Sequence, residues 1–155
     1  MITIDNFLDK DLLKFISYKF LHDTPHWFDH FSEDPKDGIF YASTIAKDNP
    51  LVQFVFLKIK QEFKIKNTLK RSYINIQHRG MNGSFHKDDG EFTYMLMVSE
   101  TLKPGEGTFE IKNGPKIDFV QNRLIMFEAN KLHKGNAPLN EKPRCTWVFK
   151  TNENN

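Results

Sequence analysis

The chain has 155 residues, which suits one domain with a single well-buried core. Its 22 Lys and Arg nearly balance 20 Asp and Glu, so no strong field directs it towards nucleic acid or a membrane surface. The single Cys145 excludes an internal disulfide and favours a reducing compartment. No stretch has the pattern of a signal peptide or the apolar length of a membrane span, so we predict a cytoplasmic protein.

The first third of the chain is predicted to contain two helices. Alternating apolar residues within 1–7 indicate a short edge strand, and Asp9 is a suitable N-cap for a helix over residues 10–21. Asn49 followed by Pro50 indicates the start of the second helix, with asparagine as the cap and proline at the first helical position. Both helices have one apolar face and are expected to pack against a core.

Between the helices, three histidines recur four residues apart, at His22, His26 and His30. On a helix this spacing would align three metal ligands on one face. Pro25 lies inside the run, and residues 22–38 are rich in Pro, Asp and Gly, so a continuous helix is not expected. We therefore interpret these histidines as surface residues.

The same segment is unusually aromatic, with Trp27, Phe28 and Phe31 close together. Long irregular connections in compact domains often have a function. Residues 24–38 are accordingly predicted to form a flap over a pocket, and the alternative is a loop that packs on the core.

From Lys70 onwards the apolar residues alternate with a period of two, which is typical of strands. The first such strand directs one set of side chains to the core and the other set, namely Tyr73, Asn75 and Gln77, towards a pocket. Further strands are predicted over residues 92–99, 108–111, 117–120, 123–128 and 145–150. Asn113-Gly114 is a strong signal for a hairpin between two of them. Residues 151–155 are expected to form a polar tail.

The stretch around His86-Lys87-Asp88 carries the main chemical signal. Residues two apart on an extended strand leave the same face, so an imidazole and a carboxylate lie side by side. They provide two of the three ligands in the two-His-one-carboxylate iron site, and His133 is the only histidine downstream. The alternative interpretation is a polar turn between strands.

Arg144 follows His133 by eleven residues and lies on an apolar strand. Thr146 is directed to the same face of that strand, so both side chains are available to one ligand. A surface ion pair is the simplest role for an arginine. With Cys, Trp, Val and Phe around it, a buried anionic partner is favoured here.

A His-x-Asp pair, a distant histidine and an Arg-x-Thr beyond it resemble the 2-oxoglutarate- and Fe(II)-dependent oxygenases, in their small prolyl-4-hydroxylase-like branch. The succession of strands and turns is also similar, over roughly Tyr73 to Lys150. The resemblance implies a mainly β fold with flanking α-helices and a double-stranded β-helix (jelly-roll, cupin-like) core. The whole chain, 1–155, is then one oxygenase domain with helical support over 9–64 and the barrel over 70–150.

The resemblance also implies the roles of particular residues. Fe(II) would be bound by the catalytic metal ligands His86, Asp88 and His133. The co-substrate 2-oxoglutarate would be bound by Arg144, Thr146, Asn75 and Gln77. Two positions depart from the family, because Gln77 and Met97 stand where relatives often have tyrosines that hold 2-oxoglutarate.

The implied reaction uses O2 to hydroxylate a C–H bond and releases succinate and CO2, with ascorbate as the reductant. A prolyl residue in a peptide or protein is the favoured substrate by resemblance. A free amino acid or another small metabolite is the main alternative, and a non-catalytic metal-binding barrel is a further one. A nucleic-acid substrate is not favoured, since relatives that act on nucleic acids carry a second arginine after the position of Arg144. No membrane partner is expected.

Overall fold

The computed structural model describes residues 1–33 and 35–152, so the end of the predicted polar tail, from residue 153, lies outside the described residues. The helices are α1 (Lys10–Tyr18), which continues in a π-helical turn over Lys19–Asp23, and α2 (Pro50–Phe63). A short 3-10 helix covers Pro35–Asp37. The strands are β1 (Ile2–Ile4), β2 (Trp27–His30), β3 (Phe40–Ile45), β4 (Leu69–Gln77), β5 (Phe92–Met97), β6 (Phe109–Ile111), β7 (Lys116–Ile117), β8 (Leu124–Glu128), β9 (His133–Gly135) and β10 (Arg144–Thr151).

Two antiparallel sheets form the β core. The larger has the strand order β1-β8-β5-β10-β4-β3-β2, and the smaller has the order β7-β6-β9. In the large sheet, strands that are distant in the sequence lie side by side, with Arg144 opposite Gln77 and Thr146 opposite Asn75. The mainly β prediction with two flanking helices is confirmed, and the β strands form the predicted jelly-roll core.

The helix starts follow the predicted capping chemistry. The Asp9 side chain accepts a hydrogen bond from the backbone N–H of Leu12, and the Asn49 side chain accepts one from Leu51. The apolar face of each helix is buried against the large sheet, where it joins the main hydrophobic core. Among the described residues, none of the helices combines the length and the hydrophobicity that crossing a membrane requires.

The central strands β4, β5 and β10 have two different faces. One face belongs to the main core, through Ile74, Ile76, Tyr94, Leu96, Cys145, Trp147 and Phe149. The opposite face lines a pocket, which Tyr73, Asn75 and Gln77 enter as predicted. The alternation in the sequence therefore separates residues that stabilise the fold from residues that are available for binding.

The segment between the helices is more regular than predicted. Residues 27–30 form the edge strand β2, which pairs with β3, and the range assigned to helical support therefore also contains two strands. Pro25 does end the helical run, but the chain then extends and adds to the sheet. The aromatic segment contains the edge strand β2 and a short 3-10 helix, and its function as a flap over the pocket stays a prediction.

Candidate metal centre and adjoining pocket

His86, Asp88 and His133 converge, and the ligand atoms that they offer all lie within 4.8 Å of one another. Asp88 Oδ1 is 3.7 Å from His86 Nε2, and Asp88 Oδ2 is 3.5 Å from His133 Nε2. Within the described ranges, no other group of three His, Cys, Asp or Glu residues is arranged to hold a metal ion. The three histidines of the 22–30 segment accordingly form no such group.

Backbone pairing brings the two histidines together. The N–H of His86 donates to the carbonyl of His133 at 3.0 Å, and the N–H of His133 donates back at 2.9 Å. The N–H of Asp88 donates to the carbonyl of Ala129 at 2.8 Å. His86 therefore lies on an isolated bridge and not on a strand, yet its side chain and that of Asp88 meet as the spacing predicted.

Each imidazole is held in one orientation by a backbone carbonyl. His86 Nδ1 lies 3.0 Å from the carbonyl of Ser84, and His133 Nδ1 lies 2.8 Å from the carbonyl of Lys131. Because a carbonyl only accepts, these contacts assign the proton to Nδ1 and leave Nε2 free to bind a metal. Burial lowers the pKa of His133 to about 4 in spite of nearby Asp88, so this imidazole is neutral at pH 7.

The Asp88 carboxylate has a hydrogen-bond donor on each oxygen. Thr93 Oγ1 donates to Oδ2 at 2.7 Å, and Lys150 Nζ lies 2.6 Å from Oδ1. Burial alone would raise the pKa of this carboxyl, but His133 and Lys150 outweigh it and hold the pKa below its usual value. Lys150 was not predicted as a site residue. Its even spacing from Arg144 and Thr146 along β10 is the signal that places it on the pocket face.

At the other end of the pocket, Arg144 is buried and is bonded only to neutral groups. Its Nε donates to the carbonyl of Gly107 at 2.8 Å, its Nη1 donates to Gln77 Oε1 at 2.7 Å, and its Nη2 lies 3.9 Å from Met95 Sδ. Among the described residues, no carboxylate forms an ion pair with it. Burial lowers the pKa of this guanidinium to about 10, so it remains charged at pH 7.

Two glycines border this arginine. Gly107 has φ of 59°, in the left-handed region that favours glycine, and its carbonyl accepts the hydrogen bond from Arg144 Nε. A Cβ on Gly135 would lie 3.1 Å from the guanidinium itself. The backbone at Gly107 and Gly135 therefore shapes the space that Arg144 occupies.

The remaining predicted residues lie on the same pocket wall. Thr146 Oγ1 and Asn75 Oδ1 are buried and have no hydrogen-bond partner among the described residues, although they lie on paired positions of β10 and β4. Gln77 differs, because its Nε2 donates to the carbonyls of Met81 and Gly135 while its Oε1 accepts from Arg144. Gln77 therefore fixes Arg144, and its amide has little capacity left for a ligand.

Met97, predicted to stand where relatives carry a tyrosine, is fully buried in a hydrophobic cluster separate from the main core, together with Phe109 and Phe119. Its sulfur accepts a hydrogen bond from the N–H of Val120 at 3.3 Å. The β5 residues that line the pocket are Thr93 and Met95. Met97 is therefore not part of the pocket wall.

The pocket has a volume of about 480 Å³, within the usual range for small-molecule sites. Along β10 its lining runs from Arg144 to Lys150, which contacts Asp88, and its exposed lining residues include Trp27, His30 and Phe31. Trp27 is 69% exposed, whereas the ring of Phe28 packs 4.8 Å from that of Tyr41. Of these two rings, that of Trp27 lines the pocket and that of Phe28 does not.

No family model and no curated protein matches the sequence. Solved structures do match over nearly the whole chain. A viral collagen prolyl hydroxylase from Paramecium bursaria Chlorella virus-1, in its 2OG complex, has a TM-score of 0.69 at 16% identity, covering 96% of this chain and 95% of that one. A prolyl-4-hydroxylase from Pseudomonas putida has a TM-score of 0.70 at 14% identity, with 96% and 91% covered.

A different kind of protein matches equally well. HygX from Streptomyces hygroscopicus, with nickel, 2-oxoglutarate and hygromycin B bound, has a TM-score of 0.74 at 10% identity, with 96% and 80% covered. At these identities the comparison shows that the fold is shared with 2OG-Fe(II) oxygenases. It leaves the activity and the substrate to be argued from the pocket itself.

Proposed function

We propose that this protein is a 2-oxoglutarate- and Fe(II)-dependent oxygenase that hydroxylates a C–H bond, with the whole chain acting as one oxygenase domain. The observation that carries the proposal is a single pocket with three convergent metal-ligand side chains at one end and a buried, anion-free Arg144 at the other. Each feature alone has a structural explanation. Their placement at opposite ends of one cavity is what a chelating dicarboxylate co-substrate requires.

The donor set fits Fe(II). His86 and His133 present unprotonated Nε2 atoms, Asp88 presents a carboxylate, and a two-His-one-carboxylate set leaves coordination positions open for other ligands. When bound, Fe(II) with 2-oxoglutarate supplies the oxidising chemistry, in which O2 is consumed, succinate and CO2 are released and one oxygen atom enters the substrate. The protein orients the ligands through its backbone carbonyls and keeps His133 neutral and ready to bind.

Arg144 is proposed to bind the far carboxylate of 2-oxoglutarate. A buried guanidinium without an anion is costly, and the planar guanidinium matches a carboxylate with parallel hydrogen bonds. Thr146 Oγ1 is buried and unpartnered beside it, which makes it a second donor for the same ligand. Asn75 lies next to Thr146 on the adjoining strand, and Gln77 contributes by holding Arg144 in place.

For the substrate, a prolyl residue in a peptide or protein is our first candidate. Two fold neighbours are named prolyl hydroxylases, and the opening beside exposed Trp27 offers an aromatic surface for a ring. A small metabolite is the second candidate, because HygX, which has the same fold, was solved with hygromycin B bound. Ascorbate as the reductant and a cytoplasmic location complete the proposal.

The proposal is tested by reconstituting the purified protein with Fe(II), ascorbate and 2-oxoglutarate and measuring succinate. Proline-containing peptides are then screened by mass spectrometry for the gain of one oxygen atom. Oxygen gain on proline supports the first candidate, and 2-oxoglutarate turnover without a modified peptide favours a small metabolite. Metal binding without 2-oxoglutarate binding or turnover would favour the non-catalytic metal-binding barrel, and absence of both metal binding and 2-oxoglutarate binding would refute the enzyme proposal.

A further inference from the structure

We infer that Lys150 is a built-in counter-ion that competes with the metal for the Asp88 carboxylate and so weakens metal binding at this site. The inference rests on the proposed metal site. Lys150 Nζ lies 2.6 Å from Asp88 Oδ1, and the Lys150 side chain is only 4% exposed. The ammonium therefore forms a buried ion pair with a residue proposed to bind the metal.

The rest of the sheet explains why Lys150 is held there. Lys150 on β10 lies opposite Thr93 on β5, and Thr93 donates to the other oxygen of Asp88. The ammonium also lies 5.4 Å from the centroid of the Tyr73 ring, a distance at which the aromatic face attracts a cation. Two neighbouring strands thus present one donor each to the two oxygens of Asp88.

Asp89 does not account for the position of Lys150. Although Asp89 Oδ1 lies 3.2 Å from Lys150 Nζ, it is also 2.6 Å from Arg71 Nη2, and its second oxygen is 2.9 Å from Lys70 Nζ. Asp89 already has two exposed cations. In addition, Lys150 and Arg71 are directly paired across β10 and β4, and like charges at such positions are unfavourable. A buried ammonium beside Arg71 therefore depends on the second carboxylate, that of Asp88.

Charge balance then determines the sign of the effect. Without metal, the Asp88 carboxylate and the Lys150 ammonium form a neutral pair beside the two imidazoles. A divalent cation bound to Asp88 would lie within a few ångströms of the ammonium, in a pocket where burial reduces screening. The repulsion opposes metal binding, and the metal must also share the carboxylate with Lys150. Removing the charge should therefore tighten metal binding.

The experiment is a calorimetric titration of metal-free protein with Mn²⁺, which measures the affinity for the metal. We expect Lys150→Met, which retains the length of the side chain, to bind Mn²⁺ at least about tenfold more tightly than wild type, since removing a unit charge near a divalent ion changes the interaction by more than 1.4 kcal/mol. Lys150→Arg keeps the charge and should restore affinity to near that of wild type. Lys142→Met removes a lysine that is exposed and pairs with Glu100, so it controls for net charge and should change nothing.

Thermal unfolding with and without Mn²⁺ provides a second measurement in case Lys150→Met is poorly folded without metal. Tighter binding to the folded state predicts a larger rise of Tm on addition of Mn²⁺ in Lys150→Met than in wild type. Equal or weaker Mn²⁺ binding and an equal or smaller rise of Tm would overturn the inference, because Lys150 would then only position Asp88. If wild type itself binds no divalent metal, the proposed function fails, whereas metal binding that is indifferent to Lys150 removes this inference alone.

Discussion

The two ends of the pocket treat buried charge in opposite ways. Around Asp88, the chain supplies the counter-charge itself through Lys150 and adds a hydrogen bond from Thr93. Around Arg144, the described residues supply only neutral acceptors, from Gly107 and Gln77. A buried charge with internal partners is stable without a ligand, while one without an opposite charge favours a ligand that brings it. At the Arg144 end, the unbalanced charge itself therefore favours an anionic ligand. At the Asp88 end, the charge is already balanced, so the evidence for a metal is the convergence of the three ligand side chains.

The largest effect is expected at the metal end. His133→Ala removes a donor whose Nε2 is held towards Asp88, and the two remaining ligands should not retain Fe(II) at working concentrations. We expect loss of both metal binding and measurable 2-oxoglutarate turnover, monitored by calorimetry and succinate release. His22→Ala, an exposed histidine outside this group, is the matched control. Retention of metal-dependent turnover in His133→Ala would show that the metal lies elsewhere.

The next effect separates the two ends. Arg144→Lys keeps a positive charge but loses the two-pronged geometry, so 2-oxoglutarate binding should weaken by about 1–3 kcal/mol, the range for a hydrogen bond to a charged group. Metal affinity should stay near that of wild type, because none of the hydrogen bonds that Arg144 makes with described residues involves a metal ligand. Separate titrations of metal and 2-oxoglutarate measure both quantities. Arg79→Lys, on an exposed arginine, is the control.

If 2-oxoglutarate affinity is unchanged in both Arg144→Lys and Arg144→Ala, its carboxylate is held by other residues and the contrast between the two ends is lost. A parallel loss of metal affinity in Arg144→Lys would also contradict this contrast, because the two ends of the pocket would then not be independent.

A smaller change tests how closely the backbone positions Arg144. Gly135→Ala places a methyl group 3.1 Å from the guanidinium, so Arg144 has to shift by a few tenths of an ångström. Overpacking of this kind costs about 1 kcal/mol or somewhat more, and we expect 2-oxoglutarate binding to weaken by about that amount. The same titrations apply, and metal affinity serves as the internal control. Wild-type affinity for 2-oxoglutarate in this variant would mean that the arginine adapts without cost.

The smallest effect is expected at the opening of the pocket. Trp27 is 69% exposed, so Trp27→Ala should leave Tm and the binding of metal and 2-oxoglutarate unchanged. If Trp27 contacts the primary substrate, only the KM for that substrate rises. Phe28→Ala is the matched control, because Phe28 is the next residue of β2 and packs against Tyr41 outside the pocket. Equal KM values for the two variants would assign Trp27 no role in substrate binding.

Much of the fold could be predicted because its signals are local. The caps at Asp9 and Asn49 and the alternation along β4 each depend on residues within one helical turn or one strand. The edge strand β2 and its neighbour β3 were not predicted, for the same reason. The segment around β2 follows Pro25 and is aromatic at consecutive positions, so it lacks the period of two, and its strand character comes from pairing with β3.

The site shows the same division. Spacing alone predicted that His86 and Asp88 share a direction, and that Arg144 and Thr146 share a face. It did not predict that Gln77 would be occupied in holding Arg144, because the two residues are 67 positions apart and meet only through the pairing of β4 with β10. Spacing also did not identify Lys150 as a residue of the site. Its role depends on where Asp88 lies, and Asp88 is positioned by a hydrogen bond from its N–H to Ala129.

The sequence by itself determined which side chains were available: two histidines and one aspartate able to bind a metal, one arginine on an apolar strand, and a polar row on the pocket face of β4. The tertiary structure decided how their charges are distributed, with Asp88 neutralised by Lys150 and Arg144 left without an anion. The physical reason is that electrostatic energies depend on distances of a few ångströms and on burial. Both are set by strand register and sheet packing between residues far apart in the chain, which no local pattern encodes.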